Sequence, residues 1–122
     1  MRLYTVVLAV SFLLASCNYY ESFEPLRGER GGPDTWQTLK VSFFEPYCLR
    51  CHSGAEPRGG VSFETYHGCM EAELIVPGNP NDSRLYVSVR DGEMPERGPR
   101  PPAELVERLK NWIAAGAIET AP

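Results

Sequence analysis

Hydrophobic side chains recur at helical spacing in two separate parts of the chain. The first stripe follows Pro33, and Pro46 should end or kink its helix near Glu45, because proline lacks an N–H and collides with the carbonyl four residues earlier. The second stripe lies between Pro102 and Gly116, residue types that typically flank a helix. The two stripes consist of Trp36, Leu39, Phe43, Phe44 and Tyr47, and of Leu105, Val106, Leu109, Trp112 and Ile113. They predict two amphipathic helices.

The stretch between the stripes is mostly irregular. Residues 53–80 have room for one short helix, and residues 91–102 form a loop rich in proline and glycine. Residues 83–90 (SRLYVSVR) alternate like a strand but also fit one helical face, and a helix is favoured. Asp34 is expected to cap the first helix, with Gln37 completing a capping box.

The N-terminal segment predicts export. Arg2 precedes an uncharged apolar run over residues 3–15, which is too short to span a bilayer but typical of a signal peptide. Residues 14–17 (LASC) resemble a bacterial lipobox. That resemblance implies that residues 1–16 are removed, that Cys17 is lipidated and that residues 17–32 form a tether to a domain at 33–122. Asn18 is not the aspartate that often marks inner-membrane retention, so an outer-membrane anchor facing the periplasm is expected.

Composition narrows the class of protein. The chain has 122 residues, of which 43% are hydrophobic and 23% charged, and its formal net charge is −4. This size fits one domain, and the acidic balance argues against nucleic acid as a partner. Export also places the chain in an oxidising space, where free thiols are a liability unless they are used.

The stretch CLRCHSG at 48–54 contains a C-x-x-C-H motif. In this motif the two thiols, here Cys48 and Cys51, form thioethers with the vinyl groups of a haem. The adjacent histidine, here His52, then becomes an axial ligand of the iron. The motif therefore predicts one covalently attached haem c, and attachment would also remove both thiols from the oxidising space.

A haem iron needs a second axial ligand or an open position. Met94 lies before Pro95 in a polar loop, 42 residues after His52, which is far enough for the chain to pass around the haem edge. An isolated methionine before proline in such a loop is a poor candidate for core packing. Met94 is the predicted ligand, with His67 and Met70 as alternatives. Arginine side chains are candidate partners for the haem propionates, namely Arg58, Arg84, Arg97 and Arg100.

Two other chemistries are open to the same cysteines. A Cys₃His zinc site could use Cys48, Cys51, His67 and Cys69, but it leaves His52 without a role, and H-x-C spacing is unusual in structural zinc sites. A redox dithiol requires a βαβ context that this loop-rich chain does not offer. Cys69 is left over, either as a buried inert thiol or as one half of an intermolecular disulfide.

Several motifs together resemble the planctomycete-type cytochrome c family: CLRCHSG at 48–54, GGVSFETY at 59–66, VPGNPNDSRLY at 76–86, MP at 94–95 and LKNWIAAGA at 109–117. The resemblance implies an all-α, small class I cytochrome c-like fold. Its first and last helices would pack together around the haem, with His52 and Met94 as axial ligands. Glu96 departs from the family pattern, which often has a second proline after Met-Pro.

The sequence therefore predicts a monohaem electron carrier rather than a catalyst. It is expected to be anchored to the membrane through Cys17 and to exchange electrons with a protein partner that the sequence does not identify. The main alternative function is a haem-based sensor, in which a small ligand displaces Met94.

Overall fold

A computed structural model describes residues 33–122, so the predicted signal peptide, the predicted lipidation site Cys17 and the predicted tether lie outside the described residues. This part of the chain is helical and contains no strand, in agreement with the predicted all-α class. Helix α1 spans residues 36–47, α2 spans Tyr66–Glu71, α3 spans Arg84–Arg90 and α4 spans Ala103–Ala114. Short 3₁₀ turns lie at Arg58–Gly60 and Pro80–Asp82. None of the helices within residues 33–122 has the length and apolar character needed to cross a membrane.

Helix α1 begins one residue later than predicted. Thr35 is the N-cap: its hydroxyl accepts the Thr38 N–H at 3.3 Å, and the Thr38 hydroxyl accepts the Thr35 N–H at 3.0 Å. The prediction that Asp34 caps this helix was wrong. The Asp34 carboxylate instead accepts two hydrogen bonds from Arg108 in α4, at 2.6 and 2.9 Å.

The middle of α1 is a wide turn over Lys40–Phe44, in which the Glu45 N–H donates to the Lys40 carbonyl five residues earlier. Pro46 accounts for this turn, because a regular helix would drive its ring into the Ser42 carbonyl. The helix thus changes its pitch at the predicted position but continues to Tyr47.

The core joins the first and last helices. Trp112 of α4 lies 6.4 Å from Trp36 and 6.2 Å from Phe44 of α1, measured between ring centroids. The Ile118 carbonyl accepts hydrogen bonds from the Trp36 N–H at 2.9 Å and from Trp112 Nε1 at 2.8 Å. Both predicted stripes therefore meet in one aromatic core, which the segment after α4 closes.

The ambiguous segment 83–90 is helical, as favoured from the sequence. Leu85, Tyr86 and Val89 are buried on one face of α3. The buried Ser83 hydroxyl accepts the Val76 N–H at 2.9 Å and donates to the Asn79 carbonyl at 2.8 Å. These bonds fix the loop that leads into α3.

Candidate functional site

A cavity of about 510 Å³ lies between the end of α1, the turn that follows it, α3 and the loop after α3. This volume falls within the range of about 300–1,000 Å³ that is usual for ligand pockets. Much of its wall is apolar, formed by Phe43, Val61, Phe63, Leu74, Leu85 and Val89. No residue of α4 borders it. The cavity therefore does not lie between the first and last helices, contrary to expectation. Helix α4 packs against the core and does not form part of the cavity wall.

The turn after α1 brings the three residues of the C-x-x-C-H motif to this cavity. The Cys48 N–H donates to the Phe44 carbonyl at 2.9 Å, so the turn continues directly from the helix. The Cys48 carbonyl accepts the N–H groups of Cys51 and His52, at 3.2 and 3.0 Å. Cys48, Cys51 and His52 all border the cavity.

The orientation of His52 is set by main-chain carbonyls. Its Nδ1 lies 3.1 Å from the Arg58 carbonyl oxygen and 3.2 Å from that of Val61. Since both partners can only accept, Nδ1 carries the proton in the neutral ring, and the lone pair is then on Nε2. Hydrogen bonding at one ring nitrogen is the usual way in which a protein prepares the other as a metal ligand.

Met94 borders the same cavity as His52, although 42 residues separate them in the chain. Its N–H donates to the Ser88 carbonyl at 3.0 Å, near the end of α3, and its half-buried side chain packs against the core. The two alternative ligands do not border the cavity. The His67 side chain is 81% exposed and pairs with Glu71 at 2.9 Å, while Met70 packs against the core elsewhere.

Cys69 is fully buried and does not itself border the cavity. Burial raises the pKa of Cys48 to about 12. Burial, and to a lesser degree the charge that Cys48 would carry, raises the pKa of Cys69 further still. Both groups are therefore neutral thiols near pH 7, which makes them weak nucleophiles.

The zinc alternative lacks its ligand set in the described part of the chain. No group of three or more His, Cys, Asp or Glu side chains there is placed to hold a metal ion. His67 is turned to solvent, so the four side chains of this alternative do not meet at a common point.

Charged side chains surround the cavity. Four arginines and two glutamates border it, namely Arg50, Arg58, Arg84, Arg97, Glu93 and Glu96. Three of these arginines are among the candidates named from the sequence, whereas Arg50, between the two cysteines, is not. The fourth candidate, Arg100, does not border the cavity, and its guanidinium lies against Gly92.

Residues 48–98 match the family model described as planctomycete cytochrome c. The matched segment begins at Cys48 and includes His52 and Met94, so it covers most of the residues that border the cavity. No curated protein and no solved structure matches the chain significantly.

The chain therefore contains a domain of the cytochrome c class. More particularly, this is a planctomycete-type cytochrome c domain, and the resemblance noted from the sequence is confirmed. Membership of the class indicates haem-based electron transfer and implies haem c as the cofactor.

Proposed function

We propose that this protein is a monohaem electron carrier that is held in the periplasm by a lipid on Cys17. The observation that carries the proposal is the meeting of His52 and Met94 at one cavity whose wall also holds Cys48 and Cys51. Two thiols, an imidazole and a thioether are the four groups that a c-type cytochrome of this kind uses to hold its cofactor.

The residues at the cavity fit a covalently attached haem. Cys48 and Cys51 are free thiols, and His52 has its Nδ1 engaged by carbonyls, so that its Nε2 is available to a metal. The apolar wall suits a porphyrin, and the arginines at the cavity suit carboxylates through their planar forks. Bound haem would supply a one-electron redox centre.

The chain's own residues would then set the properties of that centre. His52 and Met94 would both hold the iron, a combination that raises the reduction potential relative to two histidines. Phe43, Phe63 and Leu85 would exclude water from the porphyrin faces. With His52 and Met94 both bound to the iron, no position on it would be left for a substrate, which favours a carrier over a catalyst.

Absorption spectroscopy and potentiometry of the haem-loaded protein test this proposal. We expect a six-coordinate spectrum that carbon monoxide leaves unchanged in the reduced state, and a reversible one-electron titration. A reduced protein that binds carbon monoxide readily, without any substitution, would contradict the carrier and support the sensor. Replacement of Met70 by alanine is the matched control for replacement of Met94, because Met70 lies outside the cavity.

The membrane anchor has its own test. Residues 1–32 lie outside the described part of the chain, so the proposal rests on the lipobox-like stretch LASC. We expect a Cys17→Ser variant to lose its lipid, which mass spectrometry of the full-length protein would detect. Recovery of unlipidated wild-type protein from membranes would overturn the anchor but leave the haem proposal intact.

A further inference from the structure

The side chain and the main chain of Arg58 contact opposite sides of the cavity. Its carbonyl accepts the hydrogen bond from His52 Nδ1 at 3.1 Å. Its guanidinium Nη1 lies 3.6 Å from Glu96 Oε2, and Glu96 is two residues after Met94. Arg58 thus links the segment carrying one expected axial ligand to the loop carrying the other.

A second arginine makes a similar crossing. Arg50, between the two cysteines, extends to the same loop at Gly98, where a Cβ would lie 3.5 Å from Arg50 Nη1. Gly98 has a φ of +100°, a conformation that side chains rarely adopt, so the loop keeps a glycine at the point of contact. The two arginines thus contact the loop at positions two residues apart, Glu96 and Gly98.

The loop that receives these contacts has little support of its own. Within the described chain, no main-chain hydrogen bond involves residues 95–101, and the last bond before them is that of Met94 to Ser88. Pro95, Pro99 and Pro101 have no N–H to donate, which removes three of the possible bonds. Contacts made by side chains are therefore the main restraint on the segment after Met94.

We propose that Arg58 and Glu96 are positioning residues that hold the Met94 loop across the cavity and keep Met94 at the iron. The inference rests on the proposed function, because it assumes a haem with Met94 as its sixth ligand. Neither side chain needs to touch the iron. Their pairing closes the loop against the segment that orients His52, so that displacement of Met94 requires the pair to open.

The expected effect is modest because the pair is exposed. The Arg58 and Glu96 side chains are 59% and 62% exposed, and pairs of this kind contribute little each. Loss of the pair should therefore favour displacement of Met94 by about two- to fivefold. Salt should weaken the pair, since exposed charges are screened at high ionic strength.

Imidazole, which competes with methionine for ferric haem, is a suitable probe. Its apparent affinity for the haem-loaded protein can be measured by absorption titration for wild type, Arg58→Gln, Glu96→Gln, the double variant and the exchanged pair Arg58→Glu/Glu96→Arg. Glu107→Gln is the matched control, because Glu107 forms an exposed pair with Lys110 on α4, away from this cavity.

Three results would support the proposal together. Each single variant binds imidazole about two- to fivefold more tightly at low salt, the double variant binds no more tightly than either single variant, and the exchanged pair restores wild-type affinity. Salt at about 1 M should abolish the differences, and Glu107→Gln should match wild type.

Other results would overturn it. Single variants that bind like wild type, or effects that add in the double variant, would show that the two side chains act separately. An effect of Arg58→Gln without one of Glu96→Gln would assign Arg58 to the haem itself. Failure of the proposed function can be told apart from failure of this inference. A purified protein without haem, or a Met94→Ala variant with unchanged imidazole affinity, would contradict the proposed function before the Arg58 and Glu96 variants are compared.

Discussion

The two sides of the cavity are built in different ways. On the side of the cysteines, main-chain bonds run from Cys51 to Cys48, from Arg58 to Cys51 and from Phe63 to His52, at 2.9–3.2 Å. Two further carbonyls fix the His52 ring. On the side of Met94, one main-chain bond to Ser88 precedes a segment, 95–101, that makes none within the described chain.

This difference separates a fixed ligand from a replaceable one. The orientation of His52 depends on backbone groups, which no neighbouring side-chain substitution removes. The position of Met94 depends on one backbone bond, on packing and on the Arg58–Glu96 pair. We therefore expect changes on the first side to decide whether haem is held, and changes on the second to decide what else can reach the iron.

Replacement of the cysteines should have the largest effect. A Cys48→Ala/Cys51→Ala variant has no thiol in the motif, so we expect no covalent haem in the purified protein. Denaturing gel electrophoresis with haem staining measures this directly. Cys69→Ala is the matched control, because Cys69 is outside the motif and does not border the cavity, so its loss should not affect attachment. Haem retained on the double variant after denaturation would contradict the assignment.

Replacement of Met94 should leave the haem attached but open its sixth position. In Met94→Ala we expect carbon monoxide to bind the reduced protein and the reduction potential to fall, because a thioether ligand raises it. Met70→Ala should change neither property, since Met70 does not border the cavity. A variant whose spectrum and potential match those of wild type would show that another residue lies opposite His52.

A substitution in the core beneath the cysteine side of the cavity should lower the stability of the protein more than a substitution on the surface. Phe44 is fully buried, with ring centroids 4.6 Å from Trp36 and 5.5 Å from Phe63. Phe44→Ala should lower the free energy of unfolding by about 3–5 kcal/mol in a denaturant titration. Val41 on the same helix is 68% exposed, and Val41→Ala should change the free energy of unfolding by no more than about 0.5 kcal/mol. Equal effects would contradict the described packing.

Replacement of Cys69 should have the smallest effect on stability, and this effect should be confined to alkaline pH. Because burial raises the pKa of Cys69 above its ordinary value of 9.0, the native protein keeps this proton after the unfolded chain has lost it. Its contribution to stability is complete below about pH 9 and falls as the pH rises further, by up to ~1.4 kcal/mol per pH unit. Denaturant titrations at several pH values should show a shallower decline in Cys69→Ala. Identical slopes would place this thiol in contact with water.

Local signals in the sequence were enough to predict the cysteine side of the cavity. The C-x-x-C-H spacing and the helical stripe before it lie within one short stretch, so Cys48, Cys51 and His52 could be placed together without knowledge of the fold. Helix α4 was predicted for the same reason, with Pro102 before it and Gly116, at a φ of +102°, after it.

Contacts between distant parts of the chain could not be predicted in the same way. Asp34 had the residue type of an N-cap, but its carboxylate pairs with Arg108, 74 residues away, and Thr35 takes the cap instead. The Arg58–Glu96 pair and the separation of α4 from the cavity likewise depend on the paths of long loops. Proline and glycine signals mark such loops but do not determine where they lead.

The central claim is that Cys48 and Cys51 hold one haem between His52 and Met94. Intact mass spectrometry of the mature protein, combined with a pyridine haemochrome spectrum, tests the covalent part of that claim most directly. We expect a mass increase equal to one haem, located on the peptide that contains both cysteines, and a haemochrome typical of two thioether bonds. A mature protein whose mass and spectrum show no covalent haem would contradict the account.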